Sequence, residues 1–145
     1  ALLPSPVEYA GILVNFGSLL HDGRGDTRAA RAVYGLGLMF DPNSTVLLNN
    51  MANILAELKE FAHSEALYRR ALLHPDEQVT TCHNYGVLLA EMKQLDKAAE
   101  MLNKALQINP FHIPTCLAYG RMLLETKMDI DGAERMYKRA LKRNP

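Results

Sequence analysis

Apolar and small residues recur along the chain at spacings of three and four. Cys82, Tyr85, Gly86 and Leu89 stand at i, i+3, i+4 and i+7, one stripe of an α-helix. A short break at Met92-Lys93-Gln94 turns the chain, and Ala98, Leu102 and Ala105 mark the stripe of a second helix. Asn109-Pro110 ends that helix. Proline has no N–H for the helical ladder and pushes the residue before it out of helical geometry. Asp41-Pro42, His74-Pro75 and Asn144-Pro145 predict the same stop elsewhere. The pattern therefore predicts pairs of helices, each pair closed by a proline.

The pairs recur at a fixed period. Tyr85 and Tyr119 are 34 residues apart, as are Met51 and Tyr85. Phe16 and Met51 are 35 apart, with the extra residue expected in a loop at residues 21–26, and a similar insertion is expected at residues 126–131. Small residues fill one first-helix column (Gly17, Ala52, Gly86, Gly120) and two second-helix columns (Ala30, Ser64, Ala98, Ala133 and Gly37, Ala71, Ala105, Ala140). Small side chains let helix axes approach, and Tyr34, Tyr68, Leu102 and Tyr137 are placed to fill the space between them.

This period and these columns resemble the tetratricopeptide repeat. The resemblance covers roughly residues 10–145, as four units at 10–44, 45–78, 79–112 and 113–145. Residues 1–9 read as a linker or the tail of a preceding repeat. The column that is often tryptophan in the family holds Leu13, Leu48, Cys82 and Cys116, and the second unit's proline arrives one residue early. The resemblance implies an all-α solenoid of four helix-turn-helix repeats, about eight helices, in a right-handed superhelix with the first helices on its concave side. Ala1-Leu2-Leu3-Pro4 reads as the end of a preceding helix, and no capping helix follows the fourth unit. Further repeats in a longer parent are expected, as is an exposed apolar end surface favouring end-to-end self-association.

Composition narrows the chemistry. At 145 residues and 48% hydrophobic, the chain can bury a core. Lys plus Arg equals Asp plus Glu at 16 each, which removes the usual signature of a nucleic-acid or anionic-membrane binder. No apolar run approaches the ~18 residues of a membrane span. Two cysteines are too few for a disulfide scaffold. Cys82 and Cys116 are expected as free buried thiols, with an intracellular, cytoplasmic location. No nucleophile–base pair, metal-ligand spacing or phosphate loop is present, so no enzyme activity, metal or cofactor is expected. Arg24-Gly25-Asp26 reads as a turn with Asp26 capping the next helix. Helical-pair repeats that read RNA need an inward basic lane, and only Arg121 is available.

The resemblance places one column on the concave side: Asn15, Asn50, Asn84 and then Ala118. An amide offers both a donor and an acceptor, as each residue of an extended peptide backbone does. The column resembles the asparagine-lined repeat arm of O-linked N-acetylglucosamine transferases, especially at Asn49-Asn50-Met51-Ala52. The alternative is that these amides bond across neighbouring first helices and only stiffen the stack. Asn49, Asn53, His83 and Arg121 are expected to add contacts. Asp22, Glu57, Glu91 and Glu125 form an acidic row, either a solvated rim or a lane favouring a basic ligand.

The family's carboxylate clamp for chaperone C-terminal tails needs cations where this chain has Val14, Thr80 and Asn84, or Asn49, Pro114 and Ala118, so such tails are excluded as partners. Arg135, Lys138, Arg139, Lys142 and Arg143 form a basic stripe on the last helix, read as a solvated outer surface or a dock for an acidic partner or lipid headgroups. The expected function is a protein–protein interaction scaffold that binds an extended or helical peptide along the concave groove. The alternatives are a structural spacer or self-association segment of a longer array, and the substrate-recognition arm of a larger enzyme such as a glycosyltransferase.

Overall fold

The computed structural model describes residues 2–142, in which eight α-helices alternate with short turns and no strand occurs. They are α1 (Pro6–Ser18), α2 (Thr27–Phe40), α3 (Thr45–Glu57), α4 (Phe61–Ala71), α5 (Gln78–Glu91), α6 (Leu95–Ile108), α7 (Ile113–Lys127) and α8 (Ile130–Leu141). The all-α helical-repeat class predicted by the spacing is the one observed. The chain divides into two compact units, Ala1–Glu77 and Gln78–Pro145, each of two helical hairpins. No described helix is long and apolar enough to cross a membrane.

Within each hairpin the small first-helix column meets the bulky second-helix column. A Cβ on Gly17 would overlap the Tyr34 ring. On Gly86 it would lie 2.8 Å from Leu102, and on Gly120 2.7 Å from Tyr137. Ala52 is fully buried, with its carbonyl accepting from Ser64 Oγ at 2.7 Å. Tyr34, Tyr68 and Leu102 are buried at these crossings, so the close approach is filled rather than hollow. Cys82 and Cys116 occupy buried, equivalent places in α5 and α7 as free cysteines.

The turns explain where the period slips. In the second and third hairpins, Glu60 N–H closes on Leu55 C=O and Gln94 N–H on Leu89 C=O, each at 2.8 Å and across five residues. In the first and fourth, Asp26 N–H closes on Leu20 C=O at 2.8 Å and Asp129 N–H on Leu123 C=O at 3.1 Å, across six. The inserted residue of the first hairpin is taken up by a π-helical turn, Leu19–Gly23, running on from α1. Wider i→i+5 bonding makes room for it, so the loop expected at residues 21–26 is helical through Gly23. The two wide turns carry aspartate N-caps, Asp26 accepting from Ala29 N–H at 3.0 Å and Asp129 from Gly132 N–H at 2.8 Å. This bears out the reading of Arg24-Gly25-Asp26 as a turn and cap.

Residues 2–4 are not helical, contrary to the helix tail expected there. The helix begins instead at Pro6, where Ser5 and Glu8 form a reciprocal capping box. Ala1 and the terminal Asn144-Pro145 stop lie outside the described residues.

Candidate functional site

The three asparagines of the ladder column have their amides available. Asn15 is exposed on α1, Asn50 is half-buried on α3 and Asn84 is half-buried on α5. None has a side-chain hydrogen bond to a described residue. Cross-helix stiffening by these three amides is therefore absent among the described residues.

Their neighbours behave differently. Asn49 is only 3% exposed. It follows Thr45 by four residues and precedes Ala52 by three, which puts it on the buried stripe of α3. The ligand contact expected of Asn49 is corrected by that burial. Asn53 accepts from the Tyr68 hydroxyl across the α3–α4 hairpin. Ser18 bonds the Tyr34 hydroxyl at 3.2 Å in the equivalent place. Where the filler is Leu102 and has no hydroxyl, the same first-helix column holds Val87. In the first three hairpins this column thus answers the filler opposite it, and the Ser–Tyr, Asn–Tyr, Val–Leu correspondence in the sequence carries that signal, whereas in the fourth Arg121 makes no hydrogen bond to Tyr137.

The acidic row is not uniform. His21 Nδ1 lies 3.1 Å from Asp22 Oδ1 and His21 Nε2 lies 2.9 Å from Glu57 Oε2. The Glu57 hydrogen bond, with the charges of both carboxylates, holds the imidazole above its ordinary range against a smaller opposing effect of burial. Asp22 and Glu57 therefore serve a tie between the first two hairpins. Glu91 and Glu125 are exposed.

His83 is also engaged. Its Nδ1 lies 3.1 Å from Thr115 Oγ1, which lies 2.7 Å from His112 Nδ1. The two rings meet edge to face, with centroids 5.6 Å apart. A hydroxyl has one proton to give, so one ring accepts from Thr115 while the other donates to it. Burial, and then the charges of His112 and Arg121, push His83 down to about 4. At neutral pH it is an uncharged strut between α5 and α7.

The second unit also holds an open cleft of about 170 Å³ between α5 and α7, floored by α6. Val87, Ala90, Leu102, Ala118 and Met122 give it apolar walls, with Lys93, Arg121 and Glu125 also lining it. Neither cation has a salt bridge to a described residue. On α8, Lys138 pairs with Glu134 at 2.6 Å, and Arg143 of the basic stripe lies outside the described residues. No group of three or more metal-ligating side chains occurs among the described residues.

Paired helices in register, with small residues at each crossing and polar side chains left open on the first helices, define a helical-hairpin repeat protein. Tetratricopeptide-repeat family models match residues 79–112 and 46–73. The chain thus contains tetratricopeptide repeats, and repeats of this kind form protein–protein interaction scaffolds. Among solved structures it is similar to PilF of Pseudomonas aeruginosa, at 24% identity and TM-score 0.83, over 94% of this chain and 61% of that one. It is similar to MamA of Desulfovibrio magneticus RS-1, at 20% and 0.74, over 89% and 72%. It is also similar to YrrB, described as a TPR protein with an unusual peptide-binding site, at 20% and 0.68, over 88% and 64%. The chain thus spans less than two thirds of PilF and of YrrB. No curated protein matches it by sequence.

Proposed function

We propose that each unit binds a segment of a partner protein by its backbone, the first unit through the amides of Asn15 and Asn50 and the second through that of Asn84. The observation that carries this reading is that these three amides have no hydrogen-bond partner among the described residues, whereas Asn53 and His83 beside them do. An amide without an internal role in a half-buried setting gains most from a ligand that supplies one donor and one acceptor per residue. The description of YrrB as having a peptide-binding site is in keeping with such a role. The test is selection of random twelve-residue peptides on the wild-type chain, followed by titration of the binders on an Asn50→Ala/Asn84→Ala variant of equal helicity. Loss of two hydrogen bonds predicts weakening of about tenfold or more. Unchanged affinity would refute the role of the amides.

A second reading, self-association, is favoured by one observation. Helix α1 exposes Val7, Ile12 and Phe16, with Leu19 one turn beyond. Ile12, Phe16 and Leu19 follow helical spacing, so they form one apolar strip. Sedimentation equilibrium of wild type and Phe16→Ser tests it. Association that disappears in the variant supports it, and a monomer at high concentration contradicts it.

A further inference from the structure

The cleft between α5 and α7 differs from the first-helix surface of the first unit. In the first unit, by contrast, Asp22 and Glu57 bracket His21. In the cleft two cations, Lys93 and Arg121, face one carboxylate, Glu125, and no salt bridge joins any of them to a described residue. Arg121 and Glu125 are four apart on α7, a spacing at which a pair can form, yet none is made. The local balance is therefore one positive charge in excess beside an apolar wall.

Size sets the other requirement. An apolar cavity of about 150 Å³ is enough for a benzene-sized group, and this cleft measures about 170 Å³. Val87, Ala118 and Met122 offer contact to one branched aliphatic side chain. Asn84, with its free amide, stands one helical turn before Val87 on α5. An amide for backbone, an apolar slot for a side chain and unpaired cations beside it lie within two neighbouring helices.

We infer that this cleft takes one aliphatic side chain of a peptide directly flanked by aspartate or glutamate, with the carboxylates meeting Arg121 and Lys93. The inference rests on the peptide-binding reading above for its ligand class and adds the recognised sequence. It reverses, for the second unit, the basic ligand that an acidic row would favour. Glu125 is then the group that opposes binding, which gives the proposal a sign.

Three capped nine-residue Gly/Ser peptides test it, with Asp-Leu-Asp, Lys-Leu-Lys or Asp-Ser-Asp at the centre, each fluorescein-labelled and C-terminally amidated. Anisotropy at low salt gives affinities, and methyl shifts of Val87, Ala118 and Met122 locate the site. The Asp-Leu-Asp peptide should bind most tightly. Arg121→Gln and Lys93→Gln should each weaken it by about fivefold, and Glu125→Gln should strengthen it by a similar factor. Tighter binding of Lys-Leu-Lys, equal binding of Asp-Ser-Asp, or no Asp-Leu-Asp binding at millimolar concentration would overturn the inference.

Asn84→Ala separates this result from the ladder reading. If Asn84→Ala leaves affinity unchanged while the charge variants shift it as stated, the cleft stands and the ladder amide fails. If Asn84→Ala weakens all three peptides alike and the charge variants do nothing, the ladder stands and the cleft inference fails.

Discussion

The two units share one framework and use equivalent positions differently. In Ala1–Glu77 several inward polar groups are spent on one another: Ser18 on Tyr34, Asn53 on Tyr68, and Asp22 and Glu57 on His21. In Gln78–Pro145 the corresponding places hold Val87 and Arg121, beside Glu125, and leave an open cleft with unmatched charge. A repeat fixes where a side chain emerges. What that side chain does depends on the residue facing it across the hairpin.

The largest expected difference lies at the helix crossings. Gly17→Ala drives a methyl into the rigid Tyr34 ring and should cost about 2–3 kcal/mol in urea denaturation. Gly86→Ala meets Cδ2 and Cγ of the more flexible Leu102 side chain, with the Ala98 carbonyl 3.3 Å away, and should cost about 1–2 kcal/mol. Equal costs would show that the two crossings are not packed as described.

The tyrosine hydroxyls sharpen the contrast. Tyr68→Phe removes a donor to Asn53 at a buried site and should destabilise by about 1–2 kcal/mol. Tyr137→Phe should change stability by less than about 0.5 kcal/mol, because no hydrogen bond joins the Tyr137 hydroxyl to a described residue.

The two units should respond to pH in opposite directions. His21 has a raised pKa, so its contribution is complete below its ordinary value of 6.5 and is lost as pH rises through the folded value. His83 is lowered to about 4, so its contribution is held above 6.5 and is lost as pH falls from there to about 4. Proton NMR titration of the imidazoles should give a His21 midpoint above 6.5 and a His83 midpoint near 4. Midpoints on the same side of 6.5 would contradict these surroundings.

A small stabilising effect is expected at a turn. Met128 is exposed with φ of 52°, a left-handed conformation that glycine adopts without a Cβ clash. Met128→Gly should stabilise by about 0.5–1 kcal/mol in thermal unfolding.

Much of the fold was legible because the repeat samples each helix column four times. The partnership of Gly17, Gly86 and Gly120 with Tyr34, Leu102 and Tyr137 follows from that register. The candidate site was less legible, because what occupies a side chain lies across a hairpin or on the next one. Asn53 meets Tyr68 fifteen residues on, and His21 meets Glu57 thirty-six residues on. Asn49 and Asn50 are adjacent in sequence, yet a turn of about 100° per residue buries the first and leaves the second half-exposed. The π-helical turn was hidden as well, since an extra residue reads as a loop until its hydrogen bonds are known.

The free amides of the first helices are proposed to bind peptide. The most direct measurement is the affinity of peptides selected on wild type for the Asn50→Ala/Asn84→Ala variant, with circular dichroism confirming equal helicity. Peptide binding by these amides predicts weakening of about tenfold or more. Equal affinity would contradict it.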